Sequence, residues 1–176
     1  MALETELQRR FEQCVDCCAD SMFRVAFRLT GNRTLASELV QETYLSAWKG
    51  INNLKDPDRM QAWLFAILRN QYSKLIRKER RVVATNGHLD SIAALPETND
   101  PKKQQVQTAL EGLDENHKLP LLLVSMEGLS VDEAAEILGI PRGTVLSRLH
   151  RGRKKLKEIL ARRQSQVVGK EDCDGF

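Results

Sequence analysis

The chain is short of several things, and each shortage narrows what it can be. Aromatic residues make up 5% of its 176 positions, and proline and glycine number five and ten. That favours helix over sheet, since strands draw on aromatic and β-branched side chains and on glycine- or proline-marked turns. No apolar run approaches the roughly 20 residues that a membrane-spanning helix needs, so no membrane insertion is expected. The opening MALETELQRRFEQC carries charges throughout and has no signal-peptide core, which leads to the expectation of a cytoplasmic protein. In that compartment the four cysteines are expected reduced rather than bridged. Nor is there a large net charge: 27 Lys and Arg against 24 Asp and Glu leave +3. The cations are instead concentrated. Residues 142–163 hold nine Lys or Arg against one acid, Glu158, and residues 69–81 hold six against Glu79. Two separated basic stripes suit two contacts with one polyanion.

The richest stretch is 129–157, LSVDEAAEILGIPRGTVLSRLHRGRKKLK. Ser130 followed three residues later by Glu133 is a capping box that starts a helix. Ala134, Ala135, Ile137 and Leu138 supply its apolar face. Gly139 suits the left-handed position that ends a helix, and Pro141 suits the start of another. Val145, Leu146, Leu149 and Leu156 recur at helical spacing and are expected to face inward. The other face carries Arg142, Thr144, Ser147, Arg148, His150, Arg151 and Lys155. A small residue, a turn glycine and an inward aliphatic at Ala135, Gly139 and Val145 are the packing pattern of a helix-turn-helix, whose second helix enters the major groove of DNA. The competing description is a solvated basic helix on a bundle.

Ahead of this lie three helical segments, over about 4–29, 34–50 and 59–81. The first has the apolar stripe Phe11, Cys14, Val15, Cys18, Met22, Val25, Ala26 and Leu29. On the second, Leu35, Leu39, Val40, Thr43, Tyr44, Ala47 and Trp48 share a side. Trp63, Leu64, Ile67, Leu68, Leu75 and Ile76 supply the core face of the third. Residues 82–100, with Gly87, Pro96 and small polar residues, predict a flexible tether. Helical signals return at Pro101 for a helix through Leu110. Asp114 is a candidate N-cap for a helix through Met126, with Pro120 a local irregularity. The expected fold is therefore all-α: two small helical domains at 1–81 and 101–163, the second containing the helix-turn-helix, a linker at 82–100 and a tail at 164–176.

The chain resembles the extracytoplasmic-function (ECF) subfamily of sigma-70-type sigma factors, the bacterial promoter-specificity subunits of RNA polymerase. The strings that carry the resemblance are FRVAFRLTGN (23–32), ASELVQETYLSAWKG (36–50), QAWLFAILRN (61–70), KLPLLLVSMEGLS (118–130) and EAAEILGIPRGTVLSRLHRGRKKL (133–156). Their order and spacing are more specific than any one of them. The resemblance implies no enzyme activity and no cofactor or metal. It implies three partners: core RNA polymerase through its clamp helices, promoter DNA, and an anti-sigma factor.

Site residues follow from the same resemblance. Glu38, Gln41 and Glu42 stand at i, i+3, i+4 on one helix face, and would meet the polymerase clamp. Lys55, Met60, Trp63, Asn70, Lys74 and Arg77 would meet the −10 element, with the loop 55–60 capturing an unstacked base. Trp63 and Phe65 could stack on bases, although Trp63, at helical spacing with Ile67, suits the core better. Family members often carry Phe where Met60 stands and Asp where Ser73 stands. Arg142, Thr144, Ser147, Arg148, His150, Arg151 and Lys155 would meet the −35 element. Cys14, Cys17 and Cys18 cluster on the first helix. A zinc or thiol site there, with His117 or Cys173, is the enzyme-class alternative, and small core residues are the simpler account. A stand-alone helix-turn-helix regulator is the alternative within transcription, but it would usually need a sensor or dimerisation domain.

Overall fold

The computed structural model describes residues 2–86 and 100–171, with side chains over 6–81 and 100–162. It is all-helical, with no strand among the described residues. The order is α1 (Ala2–Thr30), α2 (Arg33–Gly50), α3 (Met60–Asn86), α4 (Pro101–Glu111), α5 (Glu115–Leu121), α6 (Val131–Leu138) and α7 (Arg142–Glu171). The tether predicted at 82–100 gives up its first five residues to α3, while 87–99 lie outside the described residues. The expected tail is likewise helical as far as Glu171.

Helices α1, α2 and α3 pack on one another. Met22, Val25 and Ala26 on α1 are fully buried, as are Ala36, Thr43 and Ala47 on α2. Gly31, at φ +67°, makes the reversal between these helices. Asn32 then caps α2 by accepting the Leu35 amide at 3.1 Å. The loop after α2 contains two short 3₁₀ turns, Ile51–Asn53 and Pro57–Arg59. The second begins with Asp56 accepting the Asp58 amide and with Pro57, whose missing N–H is no loss at a first helical position.

Asp100 and Pro101 open α4 by the same device, Asp100 accepting from Lys102 at 3.0 Å. Helix α5 contains Pro120, which removes one i→i−4 donor. Just beyond it the chain widens into a π-helical turn, Leu122–Met126, so the expected helix through Met126 changes type near its end. Gly128, at φ +70°, turns the chain into the helix-turn-helix. There the capping box forms as expected. The Glu133 amide donates to Ser130 Oγ at 3.1 Å, and the Ser130 amide donates to Glu133 Oε2 at 2.8 Å. Gly139 closes α6 at φ +61°. Val145 and Leu149 of α7 are buried beneath it, and Gly152 lets α7 approach α5, a Cβ there falling 2.9 Å from Leu121 Cδ1.

The apolar core runs without interruption from α1–α3 into α5–α7, with α3 packed on α6 and α1 on α4. Polar groups reinforce the junction. Arg59 Nη1 donates to both carboxylate oxygens of Glu136 at 2.7 Å. Glu127 accepts from Ser21 Oγ and, at 3.0 Å, from Arg24. Arg28 donates to Gln107 at 3.1 Å.

Candidate promoter and polymerase surfaces

Helix α2 buries Leu39, Val40, Thr43 and Ala47, which turns Glu38, Gln41 and Glu42 outward, all three exposed. Leu45 and Trp48 continue that outer strip, at 53% and 44% exposure. Trp48 was expected inside; it lies on the rim, its ring 5.5 Å from that of Phe11. Large apolar side chains bordering exposed carboxylates make a surface suited to a protein partner. Leu45 was missed although it already falls off the inward spacing of α2.

The expected −10 residues on α3 and the loop before it fall in three places. Lys74 joins Lys78, Glu38 and Glu42 around a groove of about 270 Å³, floored by Leu35, Leu39 and Leu75. Lys55 and Trp63 border a hollow of about 310 Å³ with Arg59, Asp56, Ala66 and, from α6, Glu136 and Ile137. Asn70 and Arg77 line a third cavity, of about 290 Å³, together with Arg69, Tyr72 and, from the other end of the chain, Arg148. Two expectations are corrected. Met60 is 4% exposed and packs in the core, so its side chain is not offered to a base. Phe65, at 1% exposure, is likewise a core residue and no stacking platform. Arg59 and Arg69 were not singled out; the signal for each was its place beside a chosen residue, Arg59 within the 55–60 loop and Arg69 next to Asn70. Arg69 in fact donates to Asn70 Oδ1 at 2.6 Å, leaving the amide nitrogen of Asn70 as its outward donor. The ion pair with Glu136 raises the Arg59 pKa above its ordinary value, so this group stays charged.

On α7, Arg142, Ser147, His150, Arg151 and Lys155 are exposed, and Thr144 and Arg148 are partly covered. Leu146, expected to face inward, is 43% exposed and joins this outer face. Two of the cations have partners within the chain. Arg142 pairs with Asp132 at 3.1 Å, and Lys155 with Asp114 at 3.2 Å. Burial tends to raise the pKa of the Asp114 carboxyl, but hydrogen bonds from His117 and Lys155 outweigh it, and the net shift is downward. The face thus presents a long strip of donors on a helix narrow enough for a major groove.

Cys14 and Cys18 behave as packing residues. Cys18 is 5% exposed, and Cys14 is half-buried with its Sγ 3.7 Å from that of Cys18. Burial pushes the Cys14 thiol up to about 12, away from the thiolate form that binds metal. Cys17 is exposed, and Cys173 and His88 lie outside the described residues. No cluster of three metal-ligating side chains occurs among the described residues, and no described helix is long and apolar enough to cross a membrane.

Two basic helical units, one with a helix-turn-helix, define a nucleic-acid-binding protein of the sequence-reading kind. The family model for sigma-70 region 2 matches residues 14–82, and that for sigma-70 region 4 matches residues 103–156. The ECF sigma factor EcfG of Rhodopseudomonas palustris is 34% identical over 155 residues, which cover 86% of this chain and 86% of that one. SigE of Mycolicibacterium smegmatis is 32% identical over 166 residues, 85% of this chain but only 61% of that longer relative. SigW of Bacillus subtilis is 28% identical over 168 residues, 87% of this chain and 90% of its own. Among solved structures, RpoE of Bartonella quintana in complex with the anti-sigma factor NepR matches with TM-score 0.77 and 30% identity, over 86% of this chain and 96% of that one. CnrH, in complex with the cytosolic domain of CnrY, matches with TM-score 0.64 and 30% identity, over 88% and 89%. The chain belongs to the ECF family of sigma-70-type RNA polymerase sigma factors. Members of this family regulate transcription and are not enzymes.

Proposed function

We propose that this sigma factor binds core RNA polymerase through α2, engages the −10 element through the loop 55–59 and α3, and reads the −35 element as duplex through α7. The observation that carries the reading is the outward strip on α2, where Glu38, Gln41 and Glu42 adjoin exposed Leu45 and Trp48. Carboxylates beside apolar anchors suit a basic coiled-coil partner such as the polymerase clamp helices. Lys55, Trp63, Asn70, Lys74 and Arg77 are the −10 candidates that remain once Met60 is assigned to the core. On α7, Arg148 is the candidate for a bidentate base contact, because its planar fork fits the guanine edge. Arg142, Thr144, Ser147, His150, Arg151 and Lys155 would place the helix on the phosphates or read bases more weakly. The action is on a polymerase and its template in the cytoplasm, and the reaction itself belongs to the polymerase.

Control by an anti-sigma factor is part of the proposal. RpoE was solved bound to the anti-sigma factor NepR, and CnrH was solved bound to the cytosolic domain of CnrY. The test of the α2 assignment is charge reversal. Glu38→Lys with Glu42→Lys should weaken retention by immobilised core polymerase about tenfold or more, with helix content unchanged. Undiminished retention of the double variant would remove α2 from the polymerase interface.

A further inference from the structure

Helix α1 carries three thiols that the promoter and polymerase assignments leave unused. Cys14, Cys17 and Cys18 all line one open cavity of about 530 Å³, bordered by Pro57 and Asp58 of the loop before α3. Their places in it differ. Cys17 is exposed, Cys14 is half-buried and Cys18 is buried. The Cys14 and Cys18 sulfurs are 3.7 Å apart. Burial raises both of these thiols, Cys14 to about 12, so neither is a ready nucleophile toward a molecule in solution. Cys17 is the sulfur that such a molecule meets first. Side chains three and four positions apart are neighbours on a helix, so Cys17 adjoins Cys14 on the preceding turn. Cys14 in turn touches Cys18. The three sulfurs form a short chain that leads from solvent inward.

We propose that this chain of sulfurs is an exchange site for a low-molecular-weight disulfide, with Cys17 as the entry and Cys14–Cys18 as the bond that is kept. In the first step the Cys17 thiolate attacks one sulfur of the external disulfide. That S–S bond breaks, a mixed disulfide forms on Cys17, and the released thiolate takes up the proton that Cys17 lost. Cys14 then attacks the Cys17 sulfur, gives its proton to the second departing thiolate and forms Cys14–Cys17. Cys18 attacks Cys14 in turn, and its proton passes to Cys17, which returns to the thiol. Two cysteine thiols are oxidised, and one external disulfide is reduced to two thiols. The 3.7 Å contact closes to a bond of roughly 2 Å. Cβ atoms one turn apart on a helix are about 5–6 Å from each other, whereas a relaxed disulfide needs roughly 3.5–4.5 Å. The bond therefore tightens α1 and stays reducible.

Its surroundings couple it to α2. The Tyr44 hydroxyl is buried without a hydrogen-bond partner, and the Cys18 and Cys14 sulfurs add to the burial that raises it to about 12. About one turn before Cys14, Phe11 packs with its ring 5.5 Å from that of Trp48. Tyr44 and Trp48 both belong to the helix assigned to polymerase binding. Tightening α1 between Cys14 and Cys18 shifts the packing beneath that helix. This link to polymerase rests on the function proposed above, whereas the exchange chemistry does not.

The experiment uses the full chain with Cys173→Ser, so that the α1 cysteines are the ones that remain. The protein is incubated with oxidised glutathione and blocked with N-ethylmaleimide under denaturing conditions. It is then reduced and labelled with iodoacetamide. Fragment-ion mass spectra should place N-ethylmaleimide on Cys17 and the iodoacetamide label on Cys14 and Cys18, with no glutathione retained. Cys17→Ser should reach the same bond about tenfold more slowly, since a buried thiol must then attack directly. Cys14→Ala removes the middle sulfur and should leave one glutathione on Cys17. Immobilised core polymerase should retain the oxidised parent about fivefold less than the reduced one, and dithiothreitol should restore retention. Glutathione held on Cys17 of the parent, with Cys14 and Cys18 both blocked by N-ethylmaleimide, would overturn the proposal. So would a protein left fully reduced. An undiminished rate in Cys17→Ser would overturn the entry role, and equal retention of both states would overturn the link to α2. A protein that forms the bond but binds core polymerase in neither state would leave the exchange site standing and remove the sigma-factor reading.

Discussion

At the scale of single residues, Glu133 has the most predictable behaviour. Hydrogen bonds from Ser130 hold its carboxyl below the usual glutamate value. A folded pKa lower than the unfolded one means its contribution is complete above the unfolded value, about 4.3, and is lost as pH falls through the folded value. The stability difference between the parent protein and Glu133→Ala, followed by denaturant unfolding, should therefore be constant near neutrality and shrink below about pH 4. Ser130→Ala should lower stability by about 1 kcal/mol at neutral pH. The cysteines give a second expectation. With burial holding Cys14 at about 12 and also raising Cys18, iodoacetamide at pH 8 should alkylate exposed Cys17 well before either, as read by peptide mass mapping. The capping box was legible in the sequence because its partners are three residues apart. Met60 was not, because its place in a family motif says nothing of which way the side chain packs. That was decided by burial at the start of α3, against residues distant in the chain.

At the scale of elements, the helix-turn-helix was read almost completely, since its signals are local. Ser130 starts α6, Gly139 ends it, and the carbonyl of Pro141 accepts the first amides of α7, from Thr144 at 2.9 Å and Val145 at 3.1 Å. Gly139→Ala puts a Cβ at φ +61° and should cost about 1 kcal/mol, measurable as a lower unfolding midpoint. What lay beyond the sequence was geometry that depends on packing. Pro120 announced an irregularity, but not that the irregularity would be a π turn ending near Gly128. The cationic face of α7 was visible, whereas the ties of Arg142 to Asp132 and Lys155 to Asp114 were not. Those ties sharpen one expectation. Lys155→Ala should weaken binding to all DNA sequences similarly and lower the magnitude of the salt slope by about one, with a small loss of stability from the α5–α7 joint.

At the scale of the whole molecule, composition and charge placement led to two basic helical units, and the family models match both. Their mutual packing had no sequence signal. Arg59 and Glu136 are 77 positions apart, and nothing in a list of charges says which acid will meet which cation. The predicted tether was also misplaced at its start, because α3 keeps its helical bonding through Asn86 although the amphipathic pattern ends earlier. The central claim is that this chain directs core polymerase to promoters by reading the −35 element through α7. It is tested most directly by in vitro transcription with core polymerase on a genomic promoter library, followed by a −35 variant library, comparing the parent protein with Arg148→Ala. The account predicts transcription from a small set of promoters sharing −10 and −35 elements. It further predicts that Arg148→Ala loses about 1–3 kcal/mol of discrimination at one −35 position while other positions keep their preference. Promoter selection that is unchanged by Arg148→Ala and indifferent to the −35 sequence would contradict it.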